Sequence, residues 1–209
     1  MKLSRGVAVV GAGMTQFHHR IHADKASREL FVDAAFEAVD SVDNGVELDD
    51  IEALFVGNFS SDLFERQTHT AALMADWLGL NPKPSTRVED ACASSGVAVN
   101  MGVLAVASGA YDVVMVGGVE KMRNLSTEET TDTLAMAADG AYEVGAGFTF
   151  PGLYAALASA HFARYGSTWE QLAAITVKNH HNGALNPKAH FQFEIMETAS
   201  KMGERQGLA

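Results

Sequence analysis

The chain has 209 residues, 47% hydrophobic and 20% charged, a globular composition long enough for one or two domains with a core. Its 15 Lys+Arg against 26 Asp+Glu give a formal charge of −11 without long runs, which disfavours nucleic acid or an anionic membrane as partner. One cysteine permits no internal disulfide, neither CxxC nor HExxH occurs, and no segment reaches the ~18–20 apolar residues that span a bilayer. Met1-Lys2-Leu3-Ser4-Arg5 runs into a strand pattern rather than a signal-peptide core. These features predict a cytoplasmic protein with no metal site and no membrane insertion.

Strand and helix signals alternate through the first 120 residues. Val7 to Val10 reads as a short apolar strand closed by Gly11-Ala12-Gly13. Those glycines form a plain turn rather than a dinucleotide fingerprint, because Gln16 occupies the third glycine position. From Ser27 to Asn44 the apolar residues Leu30, Phe31, Ala34, Ala35, Ala38, Val39 and Val42 recur at helical spacing, with Gly45 as a left-handed stop. Ile51 to Gly57 predicts a second strand, Thr68 to Leu78 a second helix stopped by Gly79, and Thr86 to Glu89 a third strand. A helix from Cys92 to about Ser108 is apolar nearly all round and is expected to be buried on most faces. Asp112 to Val116 is a continuous apolar strand of the parallel-sheet type. The order βαβαβαβ predicts an α/β domain with a largely parallel sheet.

Beyond Met122 the texture changes. Residues 123–150, rich in Thr, Ala, Gly and acidic residues, carry at most short helical pieces. Pro151 opens a helix to Arg164 ended by Gly166, and Ser167-Thr168-Trp169-Glu170 supplies a capping box for another through about Asn179. One more turn and a weak terminal helix follow. His18, His19 and His22 lie in a loop without a metal framework and read as solvated, and His180 and His181 read as caps at a helix end.

Cys92 is the candidate nucleophile. Its run, Val88-Glu89-Asp90-Ala91-Cys92-Ala93-Ser94-Ser95-Gly96, joins a strand to a helix, so free N–H groups and the positive helix end face a side chain in the first turn, which favours thiolate over thiol. Small neighbours let a substrate approach the backbone, whose amides can hold a thioester oxyanion. Position alone does not separate this role from that of a small buried hydrophobe. Glu89 and Asp90 complicate it, because a carboxylate beside the thiol opposes ionisation unless it points away. Ser94 and Ser95 read as packing residues.

That run, together with residues 107–122 (Ala-Ser-Gly-Ala-Tyr-Asp-Val-Val-Met-Val-Gly-Gly-Val-Glu-Lys-Met), resembles the thiolase superfamily. Thr149-Phe150-Pro151-Gly152-Leu153-Tyr154 and residues 177–187 (Val-Lys-Asn-His-His-Asn-Gly-Ala-Leu-Asn-Pro) are similar to sterol-carrier-protein-type thiolases and acetyl-CoA acetyltransferases, and the likeness covers roughly residues 5–195. It implies a thiolase-like fold, with 1–120 as most of the N-terminal half (an incomplete sheet) and 121–209 as part of the mainly helical loop domain over coenzyme A. It also implies acylation of Cys92 by an acyl-CoA, with the Cys92 amide as an oxyanion donor, no tightly bound cofactor, and Claisen condensation or thiolysis of a 3-oxoacyl-CoA.

The family's second half, with its activating histidine and acid/base cysteine, has no counterpart in this sequence. Residues from Met196 onward also depart from the family's usual continuation. The resemblance therefore implies a truncated product or a split subunit, weak or inactive alone, that pairs with a C-terminal half or with its own copies. A ketosynthase-type or hydroxymethylglutaryl-CoA-synthase-type condensing enzyme shares the nucleophile, but Glu120-Lys121-Met122 favours thiolase. A non-catalytic scaffold subunit is opposed by the retained Cys92.

Overall fold

The structure, a computed structural model, describes residues 5–18 and 20–207. His19 and the opening residues Met1 to Ser4 of the N-terminal reading lie outside the described residues. The chain forms two compact units, residues 5–15 with 22–137 and residues 16–21 with 138–207.

The larger unit is built on a parallel sheet of three strands, β1 (Ala53–Gly57), β2 (Ser85–Val88) and β3 (Val114–Gly118), in the order β2-β1-β3. Central β1 is buried at every residue, and its alternation divides its side chains between two cores. Leu54 and Val56 pack with Phe31 and Ala35 of α1 (Ser27–Asp40) and, past the short α2 (Ser61–Phe64), with Ala71, Met74 and Ala75 of α3 (Thr70–Trp77). Ala53 and Phe55 pack with Ala98 of α4 (Ser94–Ala107). Leu54, 1% exposed, contributes about 1.5–3 kcal/mol by this burial alone. The predicted α/β fold with a parallel sheet is what the residues form.

Several boundaries differ from expectation. Helix α1 ends at Asp40 rather than Asn44, because the Ser41 hydroxyl donates to the Ala38 carbonyl (2.7 Å) and accepts the Ala12 N–H (3.0 Å), closing the helix. Val7 to Val10, expected as a strand, pairs with no strand among the described residues, and Val9 is 88% exposed. Apolar composition gives strand propensity, but a strand also needs a ladder partner. The following Gly11-Ala12-Gly13 lies on α1 instead. A Cβ at Gly13 would stand 2.1 Å from the Ala34 carbonyl oxygen and one at Gly11 2.4 Å from that of Ala38, so close helix approach explains the two glycines.

Helix α4 is not buried on most faces. Only Ser94, Ala98, Gly102 and Ala107 are buried, while Val99 and Leu104 on the other side are exposed. An all-round apolar helix reports the environment of every face, and the described residues cover one of them. After β3 this unit carries α5 (Thr127–Ala135), whose preceding Ser126 hydroxyl accepts the Glu129 N–H while the Glu129 carboxylate accepts the Ser126 N–H.

The second unit carries α6 (Phe150–Tyr165), α7 (Trp169–Ala184) and α8 (Ile195–Gln206). Pro151 sits in the first turn of α6, the Thr149 hydroxyl accepts the Gly152 N–H (3.3 Å), and left-handed Gly166 ends the helix as expected. The cap of α7 falls one residue later than the Ser167/Glu170 pairing, as Thr168 donates its N–H to Gln171 Oε1 (3.1 Å). None of the three helices holds a buried residue. Among the described residues no helix is long and apolar enough to cross a membrane.

Candidate active site

Parallel strands place their functional groups at the carboxyl edge of the sheet, and Cys92 stands there, four residues after β2. Two close approaches seat its neighbourhood on the sheet. A Cβ on Gly57, the last residue of β1, would lie 2.5 Å from the Ser95 nitrogen and Cα, and one on Gly118, the last of β3, 1.8 Å from the Ser95 hydroxyl oxygen. Absence of side chains at both strand ends lets the first turn of α4 rest directly on them.

Between β2 and α4 the chain makes a tight 3₁₀ turn over Ala91–Ala93, so α4 begins at Ser94 rather than at Cys92. Ala91, just before the cysteine, has φ +46°, a left-handed backbone that costs a non-glycine residue about 1–2 kcal/mol. Its N–H donates to Glu89 Oε1 (2.5 Å), and its carbonyl accepts the Ser94 hydroxyl (2.7 Å), which itself accepts the Asp90 N–H (2.9 Å). The Ala93 N–H closes the turn on the Asp90 carbonyl (2.8 Å). Cys92 is exposed, and among the described residues no group accepts its N–H. The turn thus presents a thiol and an unbonded amide together.

A polar cluster centred on buried Asn58 and Ser61 ties the three strand ends. Asn58, 1% exposed, donates its N–H to the Val88 carbonyl at the end of β2 (3.1 Å) and its side-chain amide to the Val119 carbonyl beyond β3 (2.9 Å), while its Oδ1 accepts the Ser61 hydroxyl (2.6 Å). Glu120 accepts the N–H groups of Phe59 (2.7 Å) and Ser60 (3.2 Å). Arg87 pairs with Asp62 and donates to the Phe59 carbonyl (2.8 Å). Sequence reading missed this cluster; its signal is a polar residue directly following a fully apolar strand. Beside it opens a cleft of about 570 Å³ whose wall includes Ser60, Asp62, Arg87, Glu89 and Ala91.

Burial pushes the Glu120 carboxyl above the ordinary glutamate pKa, against the pull of the Phe59 and Ser60 N–H groups and the Arg87 charge. The folded chain then holds this proton at pH values where the unfolded chain has lost it. Stability from this group is therefore fully present below the unfolded pKa and is lost as pH rises through the folded one. Thermal melts over the range just above the ordinary glutamate pKa are expected to show this decline in the wild type and less of it in Glu120→Gln. Equal slopes in the two proteins would overturn the assignment.

Other predicted residues fall as follows. Glu89 is turned onto the Ala91 backbone. Ser94 is buried and bonds both sides of the turn, more than a packing role, whereas Ser95 packs at the strand ends. Helix α7 runs to Ala184, so His181 lies in its last turn, near the helix end as expected, while Leu185 rather than either histidine is the cap residue. His181 Nδ1 meets Glu194 Oε1 (2.7 Å), and His180 stacks on Phe191 (5.6 Å between centroids). His18 stacks on His190. Among the described residues no group of three or more His, Cys, Asp or Glu is placed to hold a metal ion.

This arrangement, a cysteine at a strand-to-helix turn on the carboxyl edge of a parallel sheet, coincides with a family match over nearly the whole chain. The family described as "Thiolase, N-terminal domain" matches residues 7–207, and the chain belongs to it. It is 44% identical to the acetyl-CoA acetyltransferase of Methanothermobacter thermautotrophicus over 191 residues, which is 91% of this chain and 48% of that protein. Identity to the enzyme of the same name from Methanocaldococcus jannaschii is also 44%, over 91% of this chain and 47% of that protein. A benzoylsuccinyl-CoA thiolase subunit, BbsB, of Thauera aromatica is 32% identical, over 93% of this chain and 48% of that protein. The chain spans about half the length of these curated relatives.

Proposed function

We propose that the chain is the nucleophile-bearing component of an acyl-CoA acetyltransferase. The observation that carries this reading is Cys92 itself, exposed on a turn that leaves its N–H unbonded at the carboxyl edge of the sheet. In the step proposed, Cys92 Sγ attacks the thioester carbonyl of an acyl-CoA, with the Cys92 N–H donating to the developing oxyanion. The bond from the carbonyl carbon to the coenzyme A sulfur then breaks. Coenzyme A leaves as its thiol, carrying the proton that Cys92 gave up, and an acyl-cysteine remains.

Claisen condensation or thiolysis needs in addition an acid/base group at the substrate α-carbon, and loss of such a unit costs about 10²–10⁴-fold. In this reading a C-terminal half supplies that group and covers the exposed Val99 and Leu104 face of α4. Residues 1–120 form most of the N-terminal half and 121–209 part of the loop domain over coenzyme A. No tightly bound cofactor enters the step.

Acetyl-CoA added to the purified chain is expected to leave an acetyl group on the Cys92 peptide and to release coenzyme A without repeated turnover, read by peptide mass spectrometry and a free-thiol assay. Acetylation confined to other residues, or none, overturns the reading.

A further inference from the structure

Glu89 stands three residues before the Cys92 thiol, and its place in this turn needs a reason. Its bond supplies one. The backbone of Ala91 lies in a region that alanine avoids, and the peptide between Ala91 and Cys92 has its direction set by that residue. One charge-assisted hydrogen bond, from the Ala91 N–H to Glu89 Oε1, and one from the Ser94 hydroxyl to the Ala91 carbonyl hold the two sides of the left-handed residue. Were Ala91 to relax to a right-handed backbone, the following peptide would turn. Cys92 would lose both its exposed thiol and its unbonded N–H.

We infer that Glu89 is a positioning residue, its carboxylate oxygen holding Ala91 left-handed so that Cys92 faces outward with its amide free. Its bearing on acyl transfer rests on the function proposed above; the inference itself concerns the turn. Two readings of Glu89 make opposite demands. If only its charge mattered, removing the carboxylate would speed reaction at Cys92, and Glu89→Gln and Glu89→Ala would act alike. If the bond matters, Glu89→Gln keeps an oxygen acceptor and Glu89→Ala does not.

The test measures the rate of Cys92 alkylation by iodoacetamide in the full chain. Glu89→Gln is expected to stay within about twofold of wild type and Glu89→Ala to be about tenfold slower, a change equivalent to about 1.4 kcal/mol in the barrier. Adding Ala91→Gly to Glu89→Ala is expected to restore the rate, because glycine takes the left-handed backbone without steric cost. Wild-type or faster alkylation in Glu89→Ala overturns the inference, as does equal slowing in Glu89→Gln or a double variant that stays slow. Should circular dichroism show Glu89→Ala unfolded, Ala91→Gly alone against the double variant decides: equal rates support the inference and a slower double variant overturns it. Acetylation by acetyl-CoA is read in parallel. Its absence in the wild type removes the acyl-transfer reading, while the alkylation ratios still judge Glu89.

Discussion

Replacing Cys92 with serine is expected to lower acetyl uptake and coenzyme A release by roughly 10³-fold or more, since a hydroxyl at the same place lacks a base to activate it. The fold should be untouched. Cys92 is exposed and takes no part in the hydrophobic clusters, so its replacement should change stability by no more than about 0.5 kcal/mol. Comparing acetyl-CoA consumption with urea melts separates the two effects, and serine or alanine variants that retain wild-type uptake would remove Cys92 from the chemistry. Alanine at this position serves as the second variant, because it also excludes slow acylation of a serine.

Gly57→Ala should instead damage fold and site together. The added Cβ meets backbone atoms of Ser94 and Ser95 at 2.5–2.6 Å, and no side-chain rotation relieves a clash with backbone. Overpacking of this kind costs about 1–3 kcal/mol, and here relief requires the first turn of α4 to lift from β1, moving the Cys92 turn with it. Lower stability in denaturant melts together with altered alkylation of Cys92 is the expected result. Gly96→Ala, in the same first turn of α4 but with open space around the position, provides the contrast: no loss of stability, and a gain of at most about 0.5–1 kcal/mol from helix propensity. If both substitutions behaved alike, the seating of α4 on the strand ends would not be what fixes the turn.

The sheet was legible in the sequence because β1 and β3 are short continuous apolar runs ending in glycine, and that length with a turn residue at its end marks a buried strand. Val7 to Val10 has the same local signal and forms no strand, since pairing depends on a partner that composition does not reveal. For Cys92, the strand-to-helix junction could be read from small residues and the family likeness, yet its details could not. Nothing in Glu89-Asp90-Ala91 announces a left-handed alanine, and the Ser94 bonds need the turn before they exist. Asn58 and Glu120 meet across 62 residues of chain, a contact that only the register of β1 against β3 produces. Helix α7 runs past Asn179 to Ala184, since no local stop follows Asn179, so His181 stands in its last turn and Leu185 takes the cap.

The pleat of β1 also bears on how such a chain can drift over evolutionary time. Residues 53, 55 and 57 face the helix that follows the Cys92 turn, whereas 54 and 56 face α1 and α3. Volume lost or gained at Leu54 or Val56 is absorbed by helices that carry no part of the turn, so exchanges there are filtered mainly by stability. On the other side of the same five residues there is no such slack, and any constraint on the geometry of the Cys92 turn reaches into the core through Gly57. One strand thus holds two mutational regimes, separated by a single step along the chain.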